Sequence, residues 1–331
     1  MSFFADAYHE TLIPSAGAPP RKRLSEAPDI LPLVPPKLGC HVSIAGGMNL
    51  AVDRGRALKC DAIQVFTQNA SQWKGKPLDP EDVELFRQKA KEGPWPAMSH
   101  GSYLMNCASP KDDLYAKSLG RLADEYARCE ALGIPYFVFH PGGHMGSGVE
   151  AGTKRVAAAV DTVLKAVPKG STVICLENMA GQGTILGKSF EELAMMRDGV
   201  EDKRRVGVCF DTCHAYAAGL DFAEGASYGD LFDSFDEKVG LDVLKCFQFN
   251  DSKFEFASNR DRHEHIGKGF LGLEAFRLIV NDKRFDGFPM VLETNPEDDE
   301  CTGWKKDLAQ LRKLVGKTEP VKAKRKGQQK L

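Results

Sequence analysis

Four histidines and four carboxylates stand at or just beyond the ends of short apolar, β-rich runs in this chain. MSH closes on His100, YFVFH on His140, TVICLE on Glu177, VGVCFD on Asp211 and MVLE on Glu293. His214 follows Asp211 at a spacing of three, and Asp261 and His263 lie in the loop after the run that holds Gln248. Buried carboxylates repel and desolvate one another unless cations neutralise them. Imidazole mixed with carboxylate suits zinc or a similar divalent ion. One catalytic zinc takes about three protein ligands, so eight candidates would serve two or three ions. Closely spaced ions can hold both the attacking and the leaving oxygen of an in-line displacement, which is phosphoryl chemistry.

Such a site needs a scaffold that brings distant strand ends together. β-rich runs at Leu38–Ile44, Asp61–Phe66, Ala97–Gly101, Tyr136–His140, Thr172–Glu177, Val206–Asp211, Cys246–Asn250 and Met290–Thr294 make eight. Helical patterns follow them at Met48–Leu58, Pro80–Lys91, Leu114–Leu132, Val149–Ala166, Ser189–Arg197, Tyr228–Val239, Leu273–Asn281 and Thr302–Leu314. Alternation of this kind implies parallel strands with crossover helices. Eight units predict a (β/α)₈ TIM barrel whose strand C-termini share one mouth.

The bulk composition agrees with one such domain. The 331 residues are 42% hydrophobic and 27% charged. The apolar runs are strand-sized, so no membrane span or membrane partner is expected. Nine cysteines form no CxxC pair and several sit inside apolar runs. Free thiols, a reducing compartment and a cytoplasmic location are the expectation. The net charge of −2 gives no overall basic field for nucleic acid, although bound cations would supply a local one. Residues 1–36, rich in Pro, Ala and Ser, read as a flexible tail, and 37–316 as the barrel. Residues 317–331 carry six Lys/Arg and one Glu and read as a basic, disordered tail able to touch phosphate.

The motifs FHPGGH (139–144), LENMAGQGTILG (176–187), VGVCFDTCHAYAAG (206–219), DRH (261–263) and VLETN (291–295) resemble bacterial endonuclease IV, in order and spacing, from about Leu38 to Val315. The resemblance implies a monomeric, zinc-dependent apurinic/apyrimidinic endonuclease of base excision repair in the bacterial cytosol. Its substrate would be double-stranded DNA with abasic sites. A hydroxide activated by several metal ions would cut on the 5′ side of the lesion and leave a 3′-hydroxyl. His100 and His140 would bind a first ion, and Glu177 would bridge to a second, completed by Asp211 and Glu293. His214, Asp261 and His263 would hold a third. Glu177, Asp211 and Glu293 would be the catalytic carboxylates. Tyr103 and Leu104 match residues the family inserts into the duplex, and Gln72 and Trp73 match another DNA-contacting loop.

Two positions depart from the pattern. Gln248 stands where the family commonly has a metal-binding histidine. An amide oxygen is a weaker zinc ligand than imidazole, so this site is expected to hold zinc weakly or to prefer Mn²⁺. Ser71 stands where close relatives place an arginine that reaches DNA. His41 and His144 are expected beside the ligands or against phosphate, with His41 counted among the DNA contacts; His265 is expected to face solvent. The glycines of 181–187 lack a strand–GxGxxG–helix context, so no nucleotide cofactor is expected. A metal-dependent sugar isomerase or epimerase on the same barrel is the alternative reading.

Overall fold

The computed structural model describes residues 34–321. Eight parallel strands close a barrel: β1 (Lys37–His41), β2 (Ala62–Val65), β3 (Trp95–His100), β4 (Tyr136–Phe139), β5 (Val173–Glu177), β6 (Val206–Asp211), β7 (Leu244–Gln248) and β10 (Pro289–Leu292). Around the barrel they run in the order β1-β10-β7-β6-β5-β4-β3-β2. The helices between them are α1 (Asn49–Ala57), α2 (Pro80–Ala90), α3 (Asp112–Leu132), α4 (Val149–Ala166), α5 (Phe190–Asp198), α7 (Gly225–Lys238), α8 (Leu273–Val280) and α9 (Thr302–Arg312). The expected TIM barrel is therefore present. Two elements were not expected: a short helix α6 (Thr212–Ala218) directly after β6, and a hairpin of β8 (Asp251–Ser252) with β9 (His263–Glu264).

Helix starts follow from local chemistry. Asp79 caps α2 by accepting from Glu81 N, with Pro80 at the first helical position. Ser189 caps α5 by accepting from Glu192 N, and the Glu192 carboxylate reaches back to Gly187 N and Lys188 N. The α4 helix buries Val156, Val160, Val163 and Leu164, a helical stripe against the outer face of the barrel.

Side-chain alternation places the site. Ala62, Met98, Val138, Cys175, Cys209, Cys246 and Val291 form one buried cluster inside the barrel. Each lies two residues before a polar one: Gln64, His100, His140, Glu177, Asp211, Gln248 and Glu293. The period of two on a strand puts those polar residues on the same inward face, one layer nearer the C-terminal mouth. Gly39, two before His41, must lack a side chain, because a Cβ there would sit 1.7 Å from Ala62 O.

Residues 1–33 and 322–331 lie outside the described residues, and with them most of both expected tails. Residues 317–321 hydrogen-bond to the barrel: Arg277 donates to Lys317 O and Thr318 O, and Glu274 accepts from Val321 N.

The loop after β9 is held by one buried carboxylate. Asp251 Oδ1 accepts from the backbone N–H of Ser252, Leu271 and Gly272, and Oδ2 from Gly267 and Gly269. An Asp251→Ala variant leaves these donors without an acceptor. Each buried orphan costs about 1–3 kcal/mol, so a loss of at least about 3 kcal/mol is expected in denaturant unfolding. Unchanged stability would mean that water replaces the carboxylate.

Candidate metal centre

Glu177 is the hub of the polar layer. Its Oε2 lies 3.1 Å from His100 Nε2, and its Oε1 lies 3.2 Å from His140 Nε2 and 2.9 Å from His214 Nδ1. A second hub is Asp261, whose Oδ1 is 3.2 Å from His214 Nε2 and 3.3 Å from His263 Nε2. His263 Nε2 also lies 3.7 Å from Asp211 Oδ2. Seven of the eight His and carboxylate candidates thus gather at the C-terminal mouth, and Glu293, just past the end of β10, meets Gln248 Nε2 at 3.1 Å on the same layer. Among the described residues, three sets bring metal-competent atoms within 4.8 Å of one another: His100/His140/Glu177, Asp211/His214/His263 and Cys213/Asp261/His263.

The elements that the sequence reading missed do much of the positioning. Asp211 ends β6 and caps α6, its Oδ1 accepting from His214 N at 2.8 Å. That cap turns the chain so that His214 faces back into the mouth. Gly219 (φ 93°) closes α6 in the left-handed region. The β8–β9 pairing brings His263 to the rim. DTCHAYAAG carried the signal, an Asp cap and a terminal glycine, but a seven-residue helix shows little periodicity.

The imidazoles are oriented for ligation. His100 Nδ1 is 2.7 Å from Gly101 O, His214 Nδ1 is 2.9 Å from Asn178 O, and His263 Nδ1 is 3.5 Å from Glu293 O. A neutral ring that donates Nδ1–H to a carbonyl presents a lone pair at Nε2. In each case that nitrogen faces a carboxylate oxygen, so a proton or a metal ion must lie between the two. The Nε2 atoms of His214 and His263 are buried without a hydrogen-bond partner. Divalent ions fit this donor set.

The electrostatics agree. Burial opposes charge on His100, but hydrogen bonding to Glu177 and its negative charge outweigh burial and raise its pKa to about 9. His214 is raised well above its ordinary value in the same way, by Asp211, Asp261 and Glu177 acting against burial. Burial works against ionised Glu177 too, yet the surrounding imidazoles hold its carboxyl well below the usual range. Glu293 is likewise brought down to about 2 against burial, by hydrogen bonding from His41 and the charge of His100. Asp211 is raised, because burial there exceeds the pull of His214 and His263. The cluster draws in positive charge, which metal ions would supply by displacing protons.

Neutral amides complete the frame, and nothing in their local sequence announced them. Asn178 accepts from Asp211 N and donates to Asp211 O. Asn250 donates to Asp211 Oδ2 at 2.7 Å and accepts from Glu293 N at 2.9 Å. Gln64 donates to Glu293 Oε1. His41 is mostly buried, with Nδ1 against Gln64 Nε2 and Glu293 Oε1. His144 turns its Nδ1 to the backbone N–H of Gly146 and Gly148, which is a loop-shaping role. The expectation for His265 is overturned: it is buried, with Nδ1 2.8 Å from Asp307 Oδ2. A partner 42 residues away explains why its polar neighbourhood misled.

Tyr103 is 58% exposed, with ring centroids 5.1 Å from His100 and 5.5 Å from His140. Leu104 beside it is half-buried, while Ser71, Gln72 and Trp73 are exposed. The two loops are tied together. Ser102 Oγ donates to Ala70 O, and Arg121 donates to Gln72 O and Asn69 O. Arg121 is in turn paired with buried Glu125, which accepts from Ser102 N.

Comparisons with known proteins agree with this geometry. A family described as xylose isomerase-like TIM barrel matches residues 52–314. The "probable endonuclease 4" of Chloroflexus aurantiacus is 45% identical over 281 residues, covering 85% of this chain and 98% of that one. The crystal structure of endonuclease IV from Thermus thermophilus matches with a TM-score of 0.74 at 32% identity, over 84% of this chain and 100% of that one. D-psicose 3-epimerase matches with a TM-score of 0.62 at 16% identity, over 85% of this chain and all of the other, a likeness of fold alone. The isomerase alternative thus keeps the barrel and nothing more, and by sequence and structure together the chain belongs to the endonuclease IV family.

Proposed function

We propose that this chain is a DNA-repair endonuclease that hydrolyses the phosphodiester on the 5′ side of abasic nucleotides in duplex DNA, leaving a 3′-hydroxyl. The observation that carries the reading is the pair of carboxylate hubs, Glu177 and Asp261, each faced by imidazole nitrogens at 3.1–3.3 Å, a donor set that metal ions can hold by displacing protons. Glu177, His100 and His140 would hold one ion; Glu177, Asp211 and Glu293 a second; His214, Asp261 and His263 a third. Zinc suits the imidazole-bearing sites. Bound there, divalent ions would lower the pKa of a water molecule and offset the negative charge that builds on phosphorus oxygens.

The remaining work falls to the protein. Asn178 and Asn250 fix Asp211 from two sides, so the carboxylate need not reorganise as charge develops. Tyr103 stands over His100 and His140, where an aromatic face can take the place of a displaced nucleotide. An abasic nucleotide lacks a base to unstack, which makes it the cheapest nucleotide to turn out of the duplex. Gln72 and Trp73, braced through Arg121, would contact the strand beside it.

The test is incubation of the metal-loaded chain with a duplex oligonucleotide carrying one abasic analogue, resolved on a denaturing gel. One product, cut 5′ to the analogue and extendable by a polymerase from its 3′-hydroxyl, is expected. An uncut lesion strand, or equal cutting of undamaged duplex, would contradict the assignment.

A further inference from the structure

Glu293 stands apart from the other ligands. Each of the three compact sets contains an imidazole, and none contains Glu293. Its Oε1 is already engaged by neutral groups: Gln64 Nε2, Gln248 Nε2 at 3.1 Å and His41 Nδ1 at 3.4 Å. Gln248 is fully buried at the end of β7, beside Asp211 in the β6–β7 register. Its amide is held at both ends. The nitrogen donates to Glu293, and the oxygen lies 3.4 Å from the Cys209 thiol in the layer below. Turning the amide over would set its oxygen against a carboxylate oxygen and forfeit the thiol contact. An NH₂ group has no lone pair for a metal.

We propose that Gln248 is not a ligand but a positioning residue for Glu293, so that the ion among Glu177, Asp211 and Glu293 rests on carboxylate oxygen alone. This rests on the metal-centre reading above. Oxygen-only donor sets favour harder cations, whereas imidazole suits zinc. The centre is therefore chemically divided. The two imidazole-bearing sites retain Zn²⁺, and the carboxylate site exchanges readily and takes Mn²⁺ when both metals are offered. Cys209, by holding the amide oxygen from below, keeps Gln248 in its donor orientation.

The experiment equilibrates the full-length chain with buffered Zn²⁺ and Mn²⁺ together, then measures both elements per chain and the electron paramagnetic resonance of bound Mn²⁺. The wild-type chain is expected to hold zinc in two sites and Mn²⁺ in one. Gln248→His supplies an imidazole, and zinc should displace Mn²⁺ with an affinity gain of about tenfold or more. Gln248→Leu keeps the volume but frees Glu293, and Mn²⁺ affinity should fall about 10- to 100-fold, as for other groups that orient a ligand. Zinc in all sites of the wild-type chain under these conditions overturns the inference. So does an unchanged Zn:Mn ratio in Gln248→His, or unchanged Mn²⁺ affinity in Gln248→Leu. A chain that held no ions at all would instead overturn the metal centre on which the inference stands.

Discussion

Glu177→Ala is expected to lower the rate of incision at an abasic site by about a thousandfold or more. The reason is the position of this carboxylate. It is fully buried, and its two oxygens lie within 3.2 Å of nitrogens from three imidazoles, on β3, just past β4 and on α6. On the proposed assignment, removing it would take a shared ligand from two ions at once. For scale, loss of one group that stabilises transition-state charge typically costs about 10²–10³ in rate, and loss of one group that merely orients a ligand costs about 10- to 100-fold in metal affinity. The fold should survive. The imidazoles that Glu177 neutralises can shed their protons, and each retains its own hydrogen bond to backbone where one exists. Single-turnover incision and elemental content measured on the same preparation separate the effects. Metal content should fall together with activity. A Glu177→Ala chain that cuts at the wild-type rate would remove the basis of the metal-centre assignment.

Stripping the ions is expected to have an effect of similar size, with a second consequence for stability. A strong chelator should abolish incision, and added Zn²⁺ with Mn²⁺ should restore it. Ions bind the folded mouth and not the unfolded chain, so loading stabilises by mass action, by about 4 kcal/mol for a free ion at about a thousand times its dissociation constant. For a domain of this size, each ~1 kcal/mol moves the melting temperature by about 2–4 °C. Chelation should therefore lower Tm by on the order of 10 °C. A Tm indifferent to chelator would mean that the imidazoles and carboxylates are satisfied without ions, and the buried, unpartnered Nε2 atoms of His214 and His263 make that hard to achieve.

Much of this arrangement was legible in the sequence because two periodicities reinforce each other. The polar residue that ends most of the apolar strand runs marked the mouth of the barrel, and the period of two along each strand turns those residues inward. The stretches Val149–Ala166 and Val206–Asp211 were read with the bounds the structure gives them. In α4 a long apolar stripe at helical spacing marks the helix; in β6 a short β-rich run ends at a cap that starts a new element. What escaped depends on contacts remote in sequence. The role of Gln64 exists only because β1 sets His41 beside it and Glu293 reaches across, 229 residues away. Neutral Asn178 and Asn250 carry no charge pattern, and their value lies in where the strand register puts them. The β8–β9 hairpin pairs two residues with two, too short to leave an alternating pattern. His265 looked exposed because its neighbours are polar, yet Asp307 on α9 covers it.

The departure at Gln248 was visible as a residue type, but its meaning was not. A glutamine can ligate through oxygen or donate through nitrogen, and the sequence does not choose between them. The thiol of Cys209 beneath and the carboxylate of Glu293 beside it make the choice.

The central claim is that incision needs more than one ion in a centre joined by Glu177. It is tested most directly by reconstituting the stripped chain with zinc, then manganese, in known equivalents and measuring single-turnover incision after each addition. No cutting is predicted while only the first equivalent is bound, followed by a steep rise as the further sites fill. Full incision with one ion per chain would contradict the claim.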